Sequence, residues 1–177
     1  MNRSIAILAI GLFSSTAFAQ VSAKMSINGT SNLHDWQSRV TKSSVKMDLV
    51  RTGTNVTDVR SIRVTVPVKG IDSEHDLMDT KTYEAFESAK YPEITFSATD
   101  IRLNSGTAVM TGTLSMHGKS QPATLKATYK VADGALQLSG SHSIDMTAFG
   151  MTPPTAVMGT IKVGKTVSVK YDVSYPL

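Results

Sequence analysis

The sequence predicts an all-β domain with one inserted helix, built as a sandwich or as a barrel of about eight antiparallel strands. Apolar and polar residues alternate with a period of two through most of the chain, which is typical of strands with one buried face. Turn residues separate these segments at intervals of about ten residues. One segment, Asp76–Ala89, has helix-forming composition instead. Closing the sheet into a barrel removes both of its exposed edges, which favours the barrel.

The first residues of the chain, Met1–Ala19, have the pattern of a signal peptide. Arg3 precedes the apolar stretch Ile5–Phe13, and Ala17-Phe18-Ala19 provides a cleavage site. The apolar stretch is shorter than the roughly 20 residues that a membrane-spanning helix requires. We therefore expect an exported protein, cleaved after Ala19, with a single β-domain over residues 20–177. The short region before the apolar stretch favours the bacterial periplasm. The alternative is a buried N-terminal helix or strand.

Five segments behind this leader show the alternation most clearly. In each, every second residue is apolar and most residues between are polar, so one face of each strand is predicted to be buried. The inward series are Ile62, Val64, Val66 and Val68; Ala108, Met110, Leu114 and Met116; Ala123, Leu125, Ala127, Tyr129 and Val131; Leu136, Leu138, His142 and Ile144; and Ile161, Val163, Val167, Val169, Tyr171, Val173 and Tyr175. Within the last segment, Gly164-Lys165 predicts a two-residue turn.

Glycines that follow polar residues mark the turns between these segments. They occur in Arg51-Thr52-Gly53, Asn104-Ser105-Gly106, His117-Gly118-Lys119 and Asp133-Gly134. The helix over Asp76–Ala89 begins with a carboxylate, which suits the positive end of the helix dipole. Pro92 ends this helical region, and strand spacing resumes at Ile94.

Composition excludes several classes of function. The chain has no cysteine, which removes disulfides and thiolate chemistry. The net charge is +4, but both signs are spread along the sequence, whereas a nucleic-acid groove needs clustered positive charge. The inward faces are rich in Ala, Val and Met, which permits a cavity. Composition alone does not distinguish a packed barrel from a hollow one.

Three stretches carry a family resemblance. The first runs from Asp76-Leu77-Met78-Asp79 through Tyr83-Glu84-Ala85-Phe86 to Lys90–Phe96, the second covers Thr111–Gly118 and Gln121–Leu125, and the third is Phe149-Gly150-Met151. Together they resemble the YceI-like family, the polyisoprenoid-binding proteins of the bacterial periplasm. The first is similar to the family's helix and K-Y-P-x-I-x-F strand entry, and the second to its T-G-x-L-T-I-H-G turn. The string Gly29–Trp36 looks like the opening motif of one branch of the family.

The resemblance implies a lipocalin-like antiparallel barrel whose interior holds a long apolar chain, such as a polyisoprenoid or another lipid. It implies a binding protein that needs no cofactor and has no catalysis of its own. Each buried CH₂ group contributes about 0.8 kcal/mol, so such a chain binds well without specific polar contacts. The positive net charge adds a weak attraction to anionic membrane surfaces. Formation of a homodimer is left open.

Candidate ligand-binding residues follow from this resemblance and from the alternation. The tunnel wall is expected to include Val64, Val66, Phe96, Met110, Leu114, Met116, Leu125, Tyr129, Leu136 and Leu138. The helix is expected to contribute a gate formed by Leu77, Met78, Tyr83 and Phe86. His142 is in register with the inward residues of its segment and is added as a core or tunnel-wall histidine, together with Phe149 of the third motif.

The most conspicuous polar cluster is His34-Asp35-Trp36, which contains the only tryptophan. One interpretation is a rim site, in which the imidazole and carboxylate contact a head group and Trp36 covers the apolar chain. The other is a hydrogen-bonded motif that anchors the opening strand. Both interpretations remain open at the level of sequence.

Metal binding and catalysis have weaker signals. The run Glu74-His75-Asp76 has metal-ligand chemistry but lacks a pair of histidines at helical spacing. His117 is interpreted as a turn residue. Neither a G-x-S-x-G nor an H-E-x-x-H motif occurs. We therefore expect a lipid-binding protein. The alternatives are a stress-response or interaction protein with a packed barrel, and a hydrolase or metal-dependent enzyme that uses His34 or His75.

Overall fold

The computed structural model describes residues 21–156 and 159–177, so the predicted signal peptide lies outside the described residues. These residues form eleven strands and one α-helix, α1 (Asp76–Ala85), with short 3₁₀ helices at Val68–Gly70 and Met146–Phe149. The strands are β1 (Ser22–Ser31), β2 (Trp36–Val40), β3 (Ser44–Thr52), β4 (Asn55–Pro67), β5 (Ile71–Asp72), β6 (Glu93–Asn104), β7 (Thr107–Met116), β8 (Lys119–Ala132), β9 (Ala135–Asp145), β10 (Thr155–Ala156) and β11 (Ile161–Pro176).

The strands form one antiparallel sheet in the order β3-β4-β6-β7-β8-β9-β11-β1-β2-β5, with β10 paired to β11. This confirms the predicted all-β class. β2, β5 and β10 have five residues or fewer, and the other eight strands correspond to the expected number. The sheet curls into a half-barrel. Tyr175 of β11 donates a hydrogen bond of 3.2 Å to the carbonyl of Met47 in β3, which joins two strands far apart in the sheet order.

The predicted hairpin turns are confirmed. In three of them both central residues have positive φ, as type I′ turns require, because this backbone twist matches that of the flanking strands. These pairs are Ser105-Gly106, His117-Gly118 and Asp133-Gly134.

The predicted turn at Gly164-Lys165 is wrong, because β11 runs through both residues without interruption. Gly164 has a different role at this position. A Cβ atom there would lie 2.6 Å from Oγ1 of Thr30, and the β1–β11 register shifts between Gly29 and Ser31. A glycine inside a strand marks either a turn or a close approach of another group, and here it marks a close approach.

Helix α1 is four residues shorter than the predicted segment Asp76–Ala89. It ends in a Schellman motif, in which the amide of Ser88 donates to the carbonyl of Tyr83 and the amide of Glu87 donates to that of Glu84. Glu87 takes the left-handed conformation, with φ 48°, that this motif usually assigns to glycine. No helix of the described residues is long and apolar enough to span a membrane.

The interior of the half-barrel differs between its two ends. At the closed end, beneath the β3–β4, β6–β7 and β8–β9 hairpins, Val59, Ala108, Ala127 and Leu136 are buried in the core. At the open end lie α1, the loop between β1 and β2, the His117-Gly118 turn and the 3₁₀ helix Met146–Phe149. The cavity described below lies toward the open end.

Candidate binding cavity

A cavity of about 330 Å³ lies inside the half-barrel, within the size range of ligand pockets. It is bounded by strands from both halves of the sheet and by α1. Its wall is almost entirely hydrocarbon, with few polar groups. The arrangement is therefore suited to an apolar occupant and offers little to an ionic one.

Most of the predicted ligand-binding residues lie on this wall. They are His34, Trp36, Val64, Val66, Leu77, Met78, Phe86, Phe96, Met110, Leu114, Met116, Leu125, Leu138 and His142. Alternation correctly placed the residues of β4, β6, β7, β8 and β9 among them on the inward faces, and the helix contributes its expected apolar side chains.

Five predicted residues lie elsewhere. Leu136 and Phe149 are buried in the core, and Tyr129 packs against that core. The hydroxyl of Tyr83 donates to the carbonyl of Ile71 at 2.9 Å, which fastens α1 to β5. Asp35 is exposed, and its backbone carbonyl is 2.8 Å from Nδ1 of His34.

The opening motif combines features of both interpretations given above. The indole nitrogen of Trp36 donates to the carbonyl of Thr30 at 3.1 Å, and Oγ of Ser31 accepts from the amides of Leu33 and His34. These bonds fix the loop between β1 and β2. They also hold the Trp36 ring against the cavity, since both His34 and Trp36 lie on its wall.

Trp36 is positioned by a glycine on the neighbouring strand. Gly29 of β1 pairs with Trp36 of β2, and a Cβ atom at Gly29 would approach ring atom Cζ2 to 2.3 Å. The indole therefore lies directly on the backbone of β1. Close packing of this kind removes rotamer freedom before any ligand arrives.

The sequence analysis missed the walls formed by β1 and β11 and, apart from Trp36, the wall formed by β2. The missed residues include Met25, Ile27, Ser38, Val40, Val163, Val167, Val169, Tyr171 and Val173, and the 3₁₀ region adds Met146 and Met151. The β11 residues belong to the longest alternating series of the chain, so a signal for them was present. The short β2 gave no comparable signal.

Tyr171 lies on the cavity wall, and Val173 and Leu138 continue that wall toward the closed end. The Tyr171 ring crosses the neighbouring Gly140, and its hydroxyl donates to the carbonyl of Lys126 at 2.9 Å. Burial raises the pKa of Tyr171 to about 12. Because its hydroxyl is already bonded to the backbone, Tyr171 presents mainly its ring to the cavity.

His142 is the half-buried histidine of the cavity wall. Burial lowers the pKa of its imidazole, so the ring is neutral at neutral pH. A neutral imidazole has one N–H donor and one acceptor nitrogen. The other titratable side chains on the wall are His34, Lys81 and Tyr171, and the Lys81 ammonium is 2.7 Å from the carboxylate of Glu84.

A second polar cluster, outside the cavity, joins the three stretches that carry the family resemblance. Nδ1 of His117 is 3.1 Å from the carbonyl of Phe149, and Nε2 is 3.2 Å from a carboxylate oxygen of Glu87. The ring of Tyr91 meets that of His117 edge to face, with centroids 5.3 Å apart. His117 is therefore more than a turn residue, because it links the end of α1 to the 3₁₀ helix Met146–Phe149.

No group of three His, Asp or Glu side chains within residues 21–156 and 159–177 is arranged to hold a metal ion. In the run Glu74-His75-Asp76, Glu74 forms an ion pair with Arg39, and Asp76 lies in the first turn of α1. Both acidic residues of this run therefore have structural roles.

A curled antiparallel sheet around a hydrocarbon-lined chamber defines the architecture. The chain belongs to the YceI-like domain family, whose model matches residues 14–175. Among curated relatives, Protein YceI of Escherichia coli O6:H1 is 29% identical over 68 residues. That alignment covers 37% of this chain and 36% of the relative, so the chain matches about a third of the length of such relatives.

Solved structures share the fold. BcnA of Burkholderia cenocepacia superposes with a TM-score of 0.71 at 17% identity, covering 86% of this chain and 95% of that one. A polyisoprenoid-binding domain from Saccharophagus degradans, implicated in plant cell wall breakdown, gives a TM-score of 0.62 at 11% identity. It covers 87% of this chain and 93% of its own. At these identities the similarity establishes the architecture.

Proposed function

We propose that this protein binds a long-chain apolar or amphiphilic molecule, such as a polyisoprenoid or a similar lipid, inside the cavity and catalyses no reaction of its own. The observation that carries the proposal is the hydrocarbon wall of an interior chamber of about 330 Å³. At about 0.8 kcal/mol for each buried CH₂ group, a chain of several such groups gains substantial affinity there. Family membership and the polyisoprenoid-binding domain from Saccharophagus degradans support this choice of ligand class.

The pattern of Met1–Ala19 supports a further part of the proposal, that the protein acts in the bacterial periplasm. In that aqueous compartment a lipid chain needs a protein to shield it. The intact mass of the protein purified from cells tests this directly. A mature chain beginning at Gln20 supports export. Protein that retains Met1–Ala19 and is absent from the periplasmic fraction contradicts it.

Two exposed apolar side chains support transient contact with a membrane surface. Leu77, on the cavity wall, is 66% exposed, and Leu33, next to the wall residue His34, is 65% exposed. Both lie where a lipid would leave or enter. Sedimentation with lipid vesicles, compared between the natural chain and a Leu33→Ser, Leu77→Ser variant, measures this contribution, and equal sedimentation argues against it.

Intrinsic fluorescence offers a direct binding assay, because the single tryptophan, Trp36, lies on the cavity wall. Titration with geranylgeraniol, an isoprenoid alcohol, is expected to change its emission saturably. Val64→Phe fills part of the cavity and is expected to weaken binding. Val131→Phe makes the same chemical change at an exposed position of β8 and serves as the matched control. Equal affinity of both variants and the natural chain would place the ligand outside the cavity.

A further inference from the structure

Both ring nitrogens of His117 face oxygen atoms that can only accept hydrogen bonds. Nδ1 is 3.1 Å from the carbonyl oxygen of Phe149, and Nε2 is 3.2 Å from a carboxylate oxygen of Glu87. A neutral imidazole has one N–H donor, whereas the imidazolium has two. A neutral ring therefore donates to one of these oxygens and turns a lone pair toward the other. Only the protonated ring makes both hydrogen bonds at once.

The packing around His117 holds its ring in this position. The side chain is 12% exposed, and the ring of Tyr91 meets it edge to face. Tyr91 in turn lies against the backbone of Gly118, where a Cβ atom would approach ring atom Cε1 to 2.5 Å. The imidazole is thus confined between the segment that follows α1 and the 3₁₀ helix Met146–Phe149. A hydrogen bond lost there is poorly replaced by bulk water.

The charged groups near His117 come from two elements. The segment after α1 contributes the Glu87 carboxylate, which is 53% exposed, and the Lys90 ammonium, 4.9 Å from the centroid of the Tyr91 ring. β8 contributes Lys119, whose Nζ would lie 2.7 Å from a Cβ atom at Gly150. The 3₁₀ segment Met-Thr-Ala-Phe has no titratable side chain and presents a carbonyl group. Glu87 is therefore the anion in direct contact with the ring.

Helix α1 covers the cavity without being packed into the core. All ten of its residues are at least partly exposed, and Leu77 is 66% exposed. Its inner face nevertheless lines the cavity through Leu77, Met78, Lys81, Thr82 and Ala85. An element with so little buried surface opens locally at a lower free energy than the strands of the core.

The two ends of α1 are attached differently. At the start, Asp79 accepts hydrogen bonds from the amide and the hydroxyl of Ser73, at 2.8 and 2.6 Å. Beyond the last turn, the side chain of Glu87 reaches His117. The second attachment depends on the charge of an imidazole, and histidine is the side chain whose ordinary titration falls between pH 5 and 8. The two attachments therefore respond differently to acidity.

We propose that α1 is a lid over the cavity and that His117 is its proton-dependent latch. The protonated ring joins Glu87 to Phe149 and holds the lid closed. When the ring loses its proton, the ion pair with Glu87 is lost in either tautomer, and the lid opens more readily. A proton that binds better to the closed state must shift the lid toward that state. The latch rests on the proposed function in that the cavity beneath the lid is the proposed binding site, and it adds control of that site by acidity.

Distances between spin labels test the latch on the full folded protein without any ligand. The chain has no cysteine, so Thr80→Cys on α1 and Lys126→Cys on β8, both at exposed positions, provide two unique labelling sites. The open fraction of the lid is measured at about pH 5 and at about pH 8, the limits of the ordinary histidine range. We expect the ratio of open to closed molecules to be about tenfold larger at the higher pH, the order expected for one hydrogen bond to a charged group.

Two variants act on the latch and two serve as matched controls. Glu87→Gln removes the charge but can still donate or accept, so the open fraction is expected to become independent of pH. His117→Phe keeps a ring against Tyr91 without nitrogen atoms, and the lid is expected to be open at both pH values. Glu93→Gln and His75→Gln change the same residue types at exposed positions outside the latch, and both are expected to retain the pH dependence. Thermal unfolding of each variant confirms that it is folded.

Release of geranylgeraniol, followed through Trp36 fluorescence, connects the latch with the cavity. The natural chain is expected to release the alcohol about tenfold faster at about pH 8 than at about pH 5. Glu87→Gln is expected to release it at the same rate at both pH values. His34 and His142 of the cavity wall are retained in this variant, so a pH effect that arises from them would persist there.

The outcomes separate the latch from the proposed function. Label distances that do not change with pH, or that change equally in Glu87→Gln, overturn the latch while the proposed function stands. Distances that change with pH, together with failure of geranylgeraniol to bind, support the latch and overturn the proposed function. Distances that change with pH, together with a release rate that does not, overturn the role of α1 as a lid.

Discussion

The closed and open ends of the half-barrel are built from the same alternating strands but have different interiors. At the closed end Leu136 is 0% exposed, and small residues such as Ala108 and Ala127 are buried around it. At the open end Leu138, two residues further along β9, lines the cavity. Tyr171, with its ring across Gly140, lies on the cavity wall nearer the open end than Leu138. The alternation of apolar and polar residues therefore determines which face of a strand is inward. The side chains on neighbouring strands determine whether the interior of the half-barrel is filled.

The largest predicted effect is a difference in the loss of stability caused by substituting two leucines of β9. Leu136→Ala is expected to lower the free energy of unfolding by about 2–5 kcal/mol, because it empties a packed site. Leu138→Ala is expected to cost less, since one side of that leucine already faces open space. Urea denaturation of both variants measures the difference. Equal losses would mean that the open end is packed like the closed end.

Tyr171 is expected to make the protein sensitive to alkali. Its folded-state pKa is raised from 10.0 to about 12, so between these values the unfolded chain releases a proton that the folded chain retains. The contribution of Tyr171 to the free energy of unfolding is complete below pH 10.0 and is lost as pH rises through about 12.

Tyr171→Phe is expected to remove this alkaline loss, and Tyr175→Phe on the same strand is the control that retains it. Denaturation curves over this pH range, together with the ultraviolet signal of tyrosinate, measure both effects. An unchanged alkaline profile in Tyr171→Phe would contradict the burial of the Tyr171 hydroxyl.

Gly29→Ala tests how the open end holds its tryptophan. The added methyl group would lie 2.3 Å from Cζ2 of Trp36, so the ring must move, at a cost of about 1–3 kcal/mol. We expect a shifted Trp36 emission and weaker binding of geranylgeraniol. Adding Trp36→Phe, which has a smaller ring, is expected to recover part of the lost stability. A double-mutant cycle with no coupling would argue against the contact.

The smallest expected effect is a loss of folding stability at acidic pH. Because burial lowers the pKa of His142, the unfolded chain binds more protons than the folded chain between that lowered value and about 6.5. Stability from this group is therefore complete above about pH 6.5 and falls as pH decreases below it. His142→Leu is expected to flatten this part of the stability profile, and a profile unchanged by the substitution would contradict the burial of the ring.

The sequence predicted the inward faces, most hairpin turns and the helix, because each depends on local spacing or on residues adjacent in the chain. It did not separate Leu136 from Leu138, since both share one face and differ only in what lies across the sheet. Ser38, Ile27, Val169 and His142 lie side by side on the cavity wall because the β1–β2 hairpin pairs with β11, and β11 with β9, far along the chain. No local pattern encodes that register.

Two local signals were also ambiguous. Gly164 fits a turn as well as a close approach to Thr30, and only the β1–β11 pairing distinguishes these. Helix α1 ends because Glu87 takes a left-handed conformation, which residues other than glycine rarely adopt. The helix-forming composition of the segment gave no sign of this, so the predicted helix was too long.

Native mass spectrometry with lipid extraction, performed on untagged protein from the cell envelope of its own organism, tests the central claim most directly. We expect one stoichiometric bound molecule with a long apolar chain. Protein that is isolated bare, and that also fails to take up geranylgeraniol, would contradict the claim and direct attention to the outer surface of the half-barrel.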